Sequence, residues 1–297
     1  MVERFYAELP ARGVLEVAGE DRVAFLQGLV TNDIAKVGAD RAIFAALLTA
    51  QGRYLFDFFI FSLGDALYLE TEAARIADLK RRLGLYKLRS NVTLADVTAR
   101  FAVVAGFDAG ASAALGLAEA GSAKPFAGGI AFTDPRLAAL GVRFALPHNA
   151  GFAALKEAGF APADEAAYDL HRLKLGVADG SRDLPIEKAL LLESGFDELN
   201  GIDWQKGCYM GQELTARTKY RALVKKRLLP VEIEGPMPAP GTAIMLGGEE
   251  AGEIHSGRDG HALALLRLEA VEAAKSGAPL TAGRAEVTPA KPVWAKY

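Results

Sequence analysis

The sequence predicts an α+β protein in which a ferredoxin-like N-terminal unit precedes a small C-terminal β-barrel. Residues 13–97 alternate strand-like apolar runs with two helical stretches in the order β-α-β-β-α-β, which is typical of ferredoxin-like units. From residue 223 onward, five or six short apolar runs are separated by Gly and Pro, a pattern that favours a small barrel or sandwich. The chain of 297 residues is long enough for more than one domain.

Hydrophobic spacing justifies the elements of the first unit in order. Residues 13–19 form a strand, and a helix follows with Asp21 as its N-cap. Two apolar runs on either side of Gln51-Gly52 predict a strand pair joined by a short turn. A further strand, an amphipathic helix and a strand over residues 91–97 complete the unit. The apolar face of that second helix is formed by Ile76, Leu79 and Leu83.

The remaining elements are less regular. Residues 101–165 show strand-like runs, a small-residue helix or loop, and a short helix near residue 155. Another short helix is expected inside the barrel region, at EAVEAAKSG. We therefore expect one region over residues 1–222, with two subdomains that meet near residue 100, and a barrel over residues 223–297.

Composition excludes several classes of protein. The net charge of −3 and pI near 5.9 argue against stable DNA binding, and they leave RNA binding open. No apolar run approaches the roughly 20 residues of a membrane span, and no signal peptide is recognisable. One cysteine fits a reducing compartment, and the four histidines lack ligand spacing. These features predict a soluble cytoplasmic protein without a membrane partner or a bound structural metal.

The stretch KGCYMGQELTAR, residues 206–217, contains the single cysteine of the chain. Gly207 and Gly211 permit positive φ on either side of Cys208, and the run after Gly211 favours a helix. A helix N-terminus and a neighbouring Lys206 ammonium both favour the thiolate form, so Cys208 is a candidate reactive thiol. The alternative is that this cysteine is a small buried hydrophobe, as lone cysteines often are.

Asp57 lies within the otherwise apolar strand YLFDFFIF. An ionised carboxylate there is costly unless it is paired or hydrogen-bonded. Alternation places Asp57 on the strand face opposite Phe56 and Phe58. The side chain is therefore a candidate ligand group, with a local hydrogen-bond network or a solvent-facing position as the alternatives.

The run KGCYMGQE followed by Arg217 resembles the signature of the YgfZ family of folate-binding proteins. The stretches FLQGLVTNDI, GRYLFDF and LPIE also resemble that family and the related glycine-cleavage T protein, a tetrahydrofolate-dependent aminomethyltransferase. The resemblance implies a folate-binding fold of the aminomethyltransferase type. It also implies a role in iron–sulfur cluster assembly and tRNA modification, and the mitochondrial relatives of the family are iron–sulfur cluster assembly factors.

The resemblance further implies a set of site residues. Asp57 falls on the second position of an acidic pair that engages folate in the T protein, and Phe56 replaces the first acid. Lys174 stands where a glutamate is usual, so Arg172 and Lys174 could instead meet the glutamate tail of a folate or form a solvated helix face. The implied cofactor-binding residues are Asp57, Arg172, Glu187 and Tyr209.

Three functions follow from these residues. The first is a folate-binding accessory protein for iron–sulfur enzymes or cluster-assembly partners, with tetrahydrofolate or a derivative as cofactor and a transient iron–sulfur cluster as a second candidate. The second is a one-carbon transferase, and the third is a non-catalytic interaction module, so whether the protein is an enzyme stays open. In the first reading the reactive group comprises Cys208, Lys206, Gln212, Glu213 and Arg217.

Overall fold

A computed structural model describes residues 3–108, 110–148, 151–221 and 224–296. Its contacts divide the chain into two compact units. The N-terminal unit contains residues 1–48, 55–168 and 199–210, and the barrel unit contains residues 49–54, 169–198 and 211–297. The domain boundary expected between residues 222 and 223 lies outside the described residues. The subdomain boundary near residue 100 stays a prediction.

A five-stranded sheet forms the first layer of the N-terminal unit, with the strand order β3-β4-β5-β2-β6. Strands β4, β5, β2 and β6 have the neighbour order of a ferredoxin-like sheet, and β3 is added at its edge. The bounds are β2 Arg12–Ala18, β3 Ile43–Leu48, β4 Tyr54–Leu63, β5 Ala66–Glu72 and β6 Thr93–Asp96.

Two helices cover one face of this sheet, α1 Arg22–Gln27 and α2 Ile76–Lys87. Ile76, Leu79 and Leu83 pack into one core with the apolar side chains of α1 and the strands, as their spacing predicted. Asp21 directly precedes α1, but the expected N-cap is wrong. Its carboxylate accepts a hydrogen bond from the Asn91 N–H at 2.7 Å and makes no capping bond to the helix.

A six-stranded sheet with the order β11-β1-β7-β10-β9-β8 forms the second layer of the N-terminal unit. Its first strand, β1, was not predicted from the sequence, and it pairs antiparallel with β7 and parallel with β11. Helices α3 Ala111–Ala114 and α4 Gly151–Glu157 accompany it. The bounds are β1 Arg4–Glu8, β7 Phe101–Phe107, β8 Ala123–Phe126, β9 Gly129–Thr133, β10 Val142–Pro147 and β11 Phe160–Pro162.

Strand β4 is buried on both faces because it lies between the helices and the second sheet. Phe56 and Phe58 pack into the helix-covered core. Phe59 on the opposite face contacts Phe132 of β9, with ring centroids 6.0 Å apart. Asp57 shares the face of Phe59, so its side chain faces the layer between the two sheets.

The barrel unit contains a closed barrel with the strand order β12-β15-β14-β13-β16-β17. Its interior is filled by aliphatic side chains such as Ile244, Ile254 and Leu266. The bounds are β12 Lys226–Glu234, β13 Ala243–Leu246, β14 Glu249–Arg258, β15 His261–Arg267, β16 Leu280–Ala282 and β17 Ala285–Pro289.

Helices complete the description of the barrel unit. Helix α5, Glu165–Lys174, begins in the N-terminal unit and continues into the barrel unit. The others are α6 Gly180–Asp183, α7 Gln212–Tyr220 and α8 Leu268–Lys275. Short 3-10 helices also occur, at Ile34–Lys36, Ala73–Arg75, Thr98–Arg100, Ala138–Leu140 and Leu191–Ser194.

The predicted fold class is confirmed, since the described residues form a ferredoxin-like sheet and a closed C-terminal barrel. The predicted strand pair around Gln51-Gly52 and the helix after Gly211 are both present. Within the described part of the chain, none of the helices has the length and apolar character needed to cross a membrane.

Candidate functional site

Cys208 is exposed and lies on a loop of the N-terminal unit. The glycine just before it, Gly207, has φ +91°, and Gly211 has φ +80°, so both take the conformation that the sequence suggested. The loop is tied to the chain that follows α1, because the Met210 N–H donates to the Gly28 carbonyl at 3.1 Å. The thiol is thus held on the surface by backbone contacts on its own loop.

The Lys206 ammonium anchors the same loop. It donates to three backbone carbonyls at the end of α1 and just beyond it, those of Gln27 at 2.7 Å, Val30 at 2.5 Å and Asn32 at 2.9 Å. Burial lowers the pKa of Lys206 to about 8, against the attraction of Asp33 and Asp203.

This arrangement differs from the role that the sequence suggested for Lys206. An ammonium group has three N–H donors, and all three are used by carbonyl oxygens. Lys206 therefore has no donor left for the Cys208 thiolate, and its observed task is to position the loop.

Helix α7 carries Gln212, Glu213 and Arg217, of which Glu213 and Arg217 are exposed. The helix begins at Gln212, with Gly211 directly before it. Cys208 therefore precedes the first helical residue by four positions, and the stabilisation that a helix N-terminus gives to an anion fades within the first turn. The helix-dipole argument for a reactive Cys208 is corrected accordingly.

Asp57 is buried, with 3% of its surface exposed. It faces a layer of charged side chains between the two sheets, where Arg143 donates to Glu70 at 3.2 Å and Arg136 pairs with Asp134 at 2.8 Å. Burial tends to lower the pKa of the Arg136 guanidinium. The charge and hydrogen bonds of Asp134 raise that pKa overall, with a smaller contribution of the same sign from Asp57.

Tyr209 is buried in the N-terminal unit, with its ring centroid 5.3 Å from the Lys206 ammonium. Glu187 in the barrel unit is exposed and has φ +61°, an uncommon conformation for a residue with a side chain. Its backbone N–H donates to the Tyr54 carbonyl at 2.8 Å.

Arg172 is buried in the barrel unit, with 3% of its surface exposed. Its guanidinium donates to Asp169 at 2.7 Å, to Asp183 at 2.8 Å, to Ser256 Oγ at 2.8 Å and to the Val177 carbonyl at 3.1 Å. The expectation that Arg172 meets a folate tail or lies on a solvated helix face is corrected, because its charge is already compensated inside the unit. Lys174 is exposed.

A cavity of about 360 Å³ opens within the N-terminal unit, and the sequence reasoning had not singled out its residues. Neither Asp57 nor Tyr209 lines it. The polar run 31–33 and the run 200–205 before the cysteine motif were the available signals. Its lining combines amide, aromatic, aliphatic and charged groups from Asn32, Lys36, Arg41, Ala42, Ile43, Phe44, Ala120, Pro135, Asn200, Ile202, Asp203, Trp204 and Gln205.

Two backbone carbonyls fix one wall of this cavity. Asn32 Nδ2 donates to the carbonyls of Phe44 at 2.7 Å and Asn200 at 2.8 Å. Asn200 Nδ2 in turn donates to the Pro135 carbonyl at 3.0 Å. The described residues include no group of three or more His, Cys, Asp or Glu side chains arranged to hold a metal ion.

Comparison with known proteins identifies the barrel. Residues 225–297 match the family described as the CAF17 C-terminal beta-barrel domain. Over its whole length the structure is similar to the glycine cleavage system aminomethyltransferase T from Bartonella henselae, with a TM-score of 0.77, 15% identity, and coverage of 99% of this chain and 87% of that protein. This likeness shows that the fold is of the aminomethyltransferase type, as predicted.

Several relatives share substantial sequence with the chain. It is 35% identical over 284 residues to human "Iron-sulfur cluster assembly factor IBA57, mitochondrial", covering 89% of this chain and 78% of that protein. The mouse protein of the same name is 32% identical over 289 residues, with the same coverage, 89% and 78%. The Mycosarcoma maydis homolog is 34% identical over 238 residues, and the match spans 76% of this chain and 56% of that relative.

These relatives correct one expectation and answer another. They are named as mitochondrial proteins, so the predicted cytoplasmic location is wrong. They carry the name of the mitochondrial assembly factors to which the sequence resemblance pointed, whereas the assignment to the bacterial YgfZ branch stays a prediction. Since the human protein is more than 30% identical and the match covers more than two thirds of its length, this chain belongs to the IBA57 family of iron–sulfur cluster assembly factors.

Proposed function

We propose that this protein supports the assembly or repair of iron–sulfur enzymes, including enzymes of tRNA modification. In this proposal it binds tetrahydrofolate or a derivative, and Cys208 is the group that contacts the iron–sulfur cargo or a partner protein. Family membership supports the cluster-assembly part. The observation that carries the proposal is an exposed, single thiol on a loop that Lys206 holds in place.

The cysteine count limits what the thiol can do. An iron–sulfur cluster is usually held by about four thiolate ligands, and this chain has one cysteine. Cys208 therefore supplies one ligand to a cluster whose other ligands come from partners, and it loses its proton when it binds iron. Exposure is required for this role, because a partner must reach the sulfur atom.

The cavity of the N-terminal unit fits a reduced folate. Its volume of about 360 Å³ lies within the range of small-molecule sites, about 300–1,000 Å³. Trp204 and Phe44 offer surfaces for the flat pterin and benzoyl groups, and the amides of Asn32 and Asn200 are hydrogen-bonding groups beside them. A bound folate would supply one-carbon chemistry, and these residues would bind and orient it. Asp57 remains our proposed partner for a pterin nitrogen, and Glu187 and Tyr209 stay proposals.

Replacement of Cys208 by Ser tests the role of the thiol. We expect iron–sulfur enzyme activity in cells that depend on this protein to fall about tenfold or more, because a hydroxyl neither ligates iron well nor forms a disulfide. Cys208→Ser should unfold at an unchanged temperature, since the side chain is exposed. Thr242→Ser, a change of an exposed side-chain contact in the barrel, serves as the matched control. Full activity of Cys208→Ser would leave the thiol without a function.

Calorimetric titration with tetrahydrofolate tests the ligand. We expect saturable binding that Trp204→Ala weakens about tenfold, since loss of ring stacking costs about 1–3 kcal/mol. Asp57→Asn keeps the volume of the side chain and removes its charge. Loss of binding in Asp57→Asn alone would place the ligand at Asp57 and away from the cavity, and no binding by the wild type would overturn the folate proposal.

A further inference from the structure

Two cations line the cavity of the N-terminal unit, Lys36 and Arg41, and neither was assigned a function above. We propose that they form an anion subsite that binds the γ-linked carboxylates of a polyglutamylated folate. This inference rests on the proposed binding of folate, and it adds the form of the ligand that the site prefers. It moves the recognition of the tail from Arg172, which is buried among its own partners, to residues that a ligand can reach.

Arg41 is the more available of the two cations. Its side chain is exposed, and it makes no side-chain hydrogen bond or ion pair within the described residues. Its backbone is fixed, because the Arg41 N–H donates to the Gly38 carbonyl at 3.3 Å and the Gly38 N–H donates to the Arg41 carbonyl at 3.0 Å. A guanidinium presented from a fixed backbone can bind a carboxylate through two parallel hydrogen bonds.

Lys36 is partly neutralised by a neighbour. Its ammonium lies 2.5 Å from Asp203, another lining residue. Burial tends to raise the pKa of Asp203, but hydrogen bonds from Lys36 and from the Gln205 N–H lower it overall. Asp203 is therefore ionised at neutral pH, and the three charged groups of the lining sum to one positive charge.

That net charge selects for the tail of the ligand. Each γ-linked glutamate adds one carboxylate, so a longer tail gains more attraction from a site of net positive charge. The groups are partly exposed, so each contact is weak and the attraction is screened by salt. The pterin end makes no use of these charges, and the affinity for a monoglutamate should depend little on them.

A set of charge variants tests the subsite by calorimetry with the mono- and pentaglutamate forms of tetrahydrofolate. Arg41→Gln lowers the net charge of the lining by one, and Asp203→Asn raises it by one while keeping an oxygen that can accept from the Gln205 N–H. Arg89→Gln is the matched control, because Arg89 is an exposed cation of the same unit that does not line the cavity.

We expect the wild-type protein to bind the pentaglutamate about fivefold more tightly than the monoglutamate at about 50 mM salt. The preference should rise in Asp203→Asn, fall to near unity in Arg41→Gln, remain in Arg89→Gln, and shrink at about 300 mM salt. Equal affinity of the wild type for both forms, or an unchanged preference in Arg41→Gln, would overturn the subsite and leave folate binding intact. Absence of binding by either form would overturn folate binding and the subsite together.

Discussion

Lys206 determines the position of the loop that bears Cys208. Its ammonium replaces the water that the carbonyls of Gln27, Val30 and Asn32 would otherwise bind. A second contact acts in the same direction, because Gln27 Nε2 donates to the Lys206 carbonyl at 3.4 Å. A residue next to a candidate reactive cysteine thus acts on it through the backbone.

Replacement of Lys206 by Met should destabilise the protein by about 1–3 kcal/mol, since three carbonyl groups lose their donor. The loss should be larger at alkaline pH. The folded-state pKa of Lys206 is about 8 and its ordinary value is 10.5, so between these values the unfolded chain holds the extra proton. The contribution of this group to stability is then fully present above 10.5 and is lost as the pH falls through about 8.

Urea unfolding of wild type and Lys206→Met at about pH 7 and about pH 9.5 measures both effects. Lys80→Met is the control, because Lys80 is an exposed residue of α2. A gap between wild type and Lys206→Met that narrows as the pH rises would contradict the assigned direction of the pKa.

At the scale of elements, helix α7 depends on a glycine that is far away in sequence. Gly52 has φ +80°, and a Cβ atom added to it would lie 2.7 Å from the Gly211 carbonyl oxygen and 2.7 Å from Leu214 Cβ. All three residues belong to the barrel unit. The start of α7 therefore approaches the turn at Gly52 more closely than any side chain allows.

Gly52→Ala should cost about 2–4 kcal/mol, because it combines a left-handed backbone conformation with a backbone clash. Gly64→Ala separates the two effects. Gly64 also has positive φ, +59°, but its added Cβ would meet no atom within 4 Å. We expect Gly64→Ala to cost about 1 kcal/mol in thermal or urea unfolding, and equal losses in the two variants would show that close packing at Gly52 is unimportant.

At the scale of the whole molecule, buried charges tie together segments that are distant in the chain. In the barrel unit, Arg172 of α5 bonds to Asp183 of α6 and to Ser256 of β14. The Asp183 carboxylate also accepts from the Ser256 N–H at 2.9 Å. The network is complete, so removal of one member leaves buried charge without compensation.

Arg172→Met should lower the free energy of unfolding by about 3–5 kcal/mol. Arg182→Gln is the matched comparison, because Arg182 also pairs with Asp169, at 3.1 Å, but its side chain is 48% exposed. We expect a loss of less than about 1 kcal/mol there. Denaturant unfolding distinguishes the two, and a small loss in Arg172→Met would mean that the network contributes little to stability.

Local pattern was enough to predict the elements of this protein. The spacing of Ile76, Leu79 and Leu83 predicted the buried face of α2, and the alternation around Asp57 predicted which face of β4 it occupies. Both follow from the periods of helix and strand, which depend on neighbouring residues alone. Strand β1 was missed because its place depends on pairing with β7 and β11, which are remote in sequence.

The sequence by itself determined the order of strands and helices, the barrel, and the single cysteine on a glycine-flanked loop. The tertiary structure decided what the polar side chains do. Lys206 and Gln27 are 179 residues apart, and Arg172 and Ser256 are 84 residues apart, so no local pattern reports their bonds. Hydrophobic periodicity records which face is buried, whereas the partner of a buried charge is chosen by the fold that brings distant segments together.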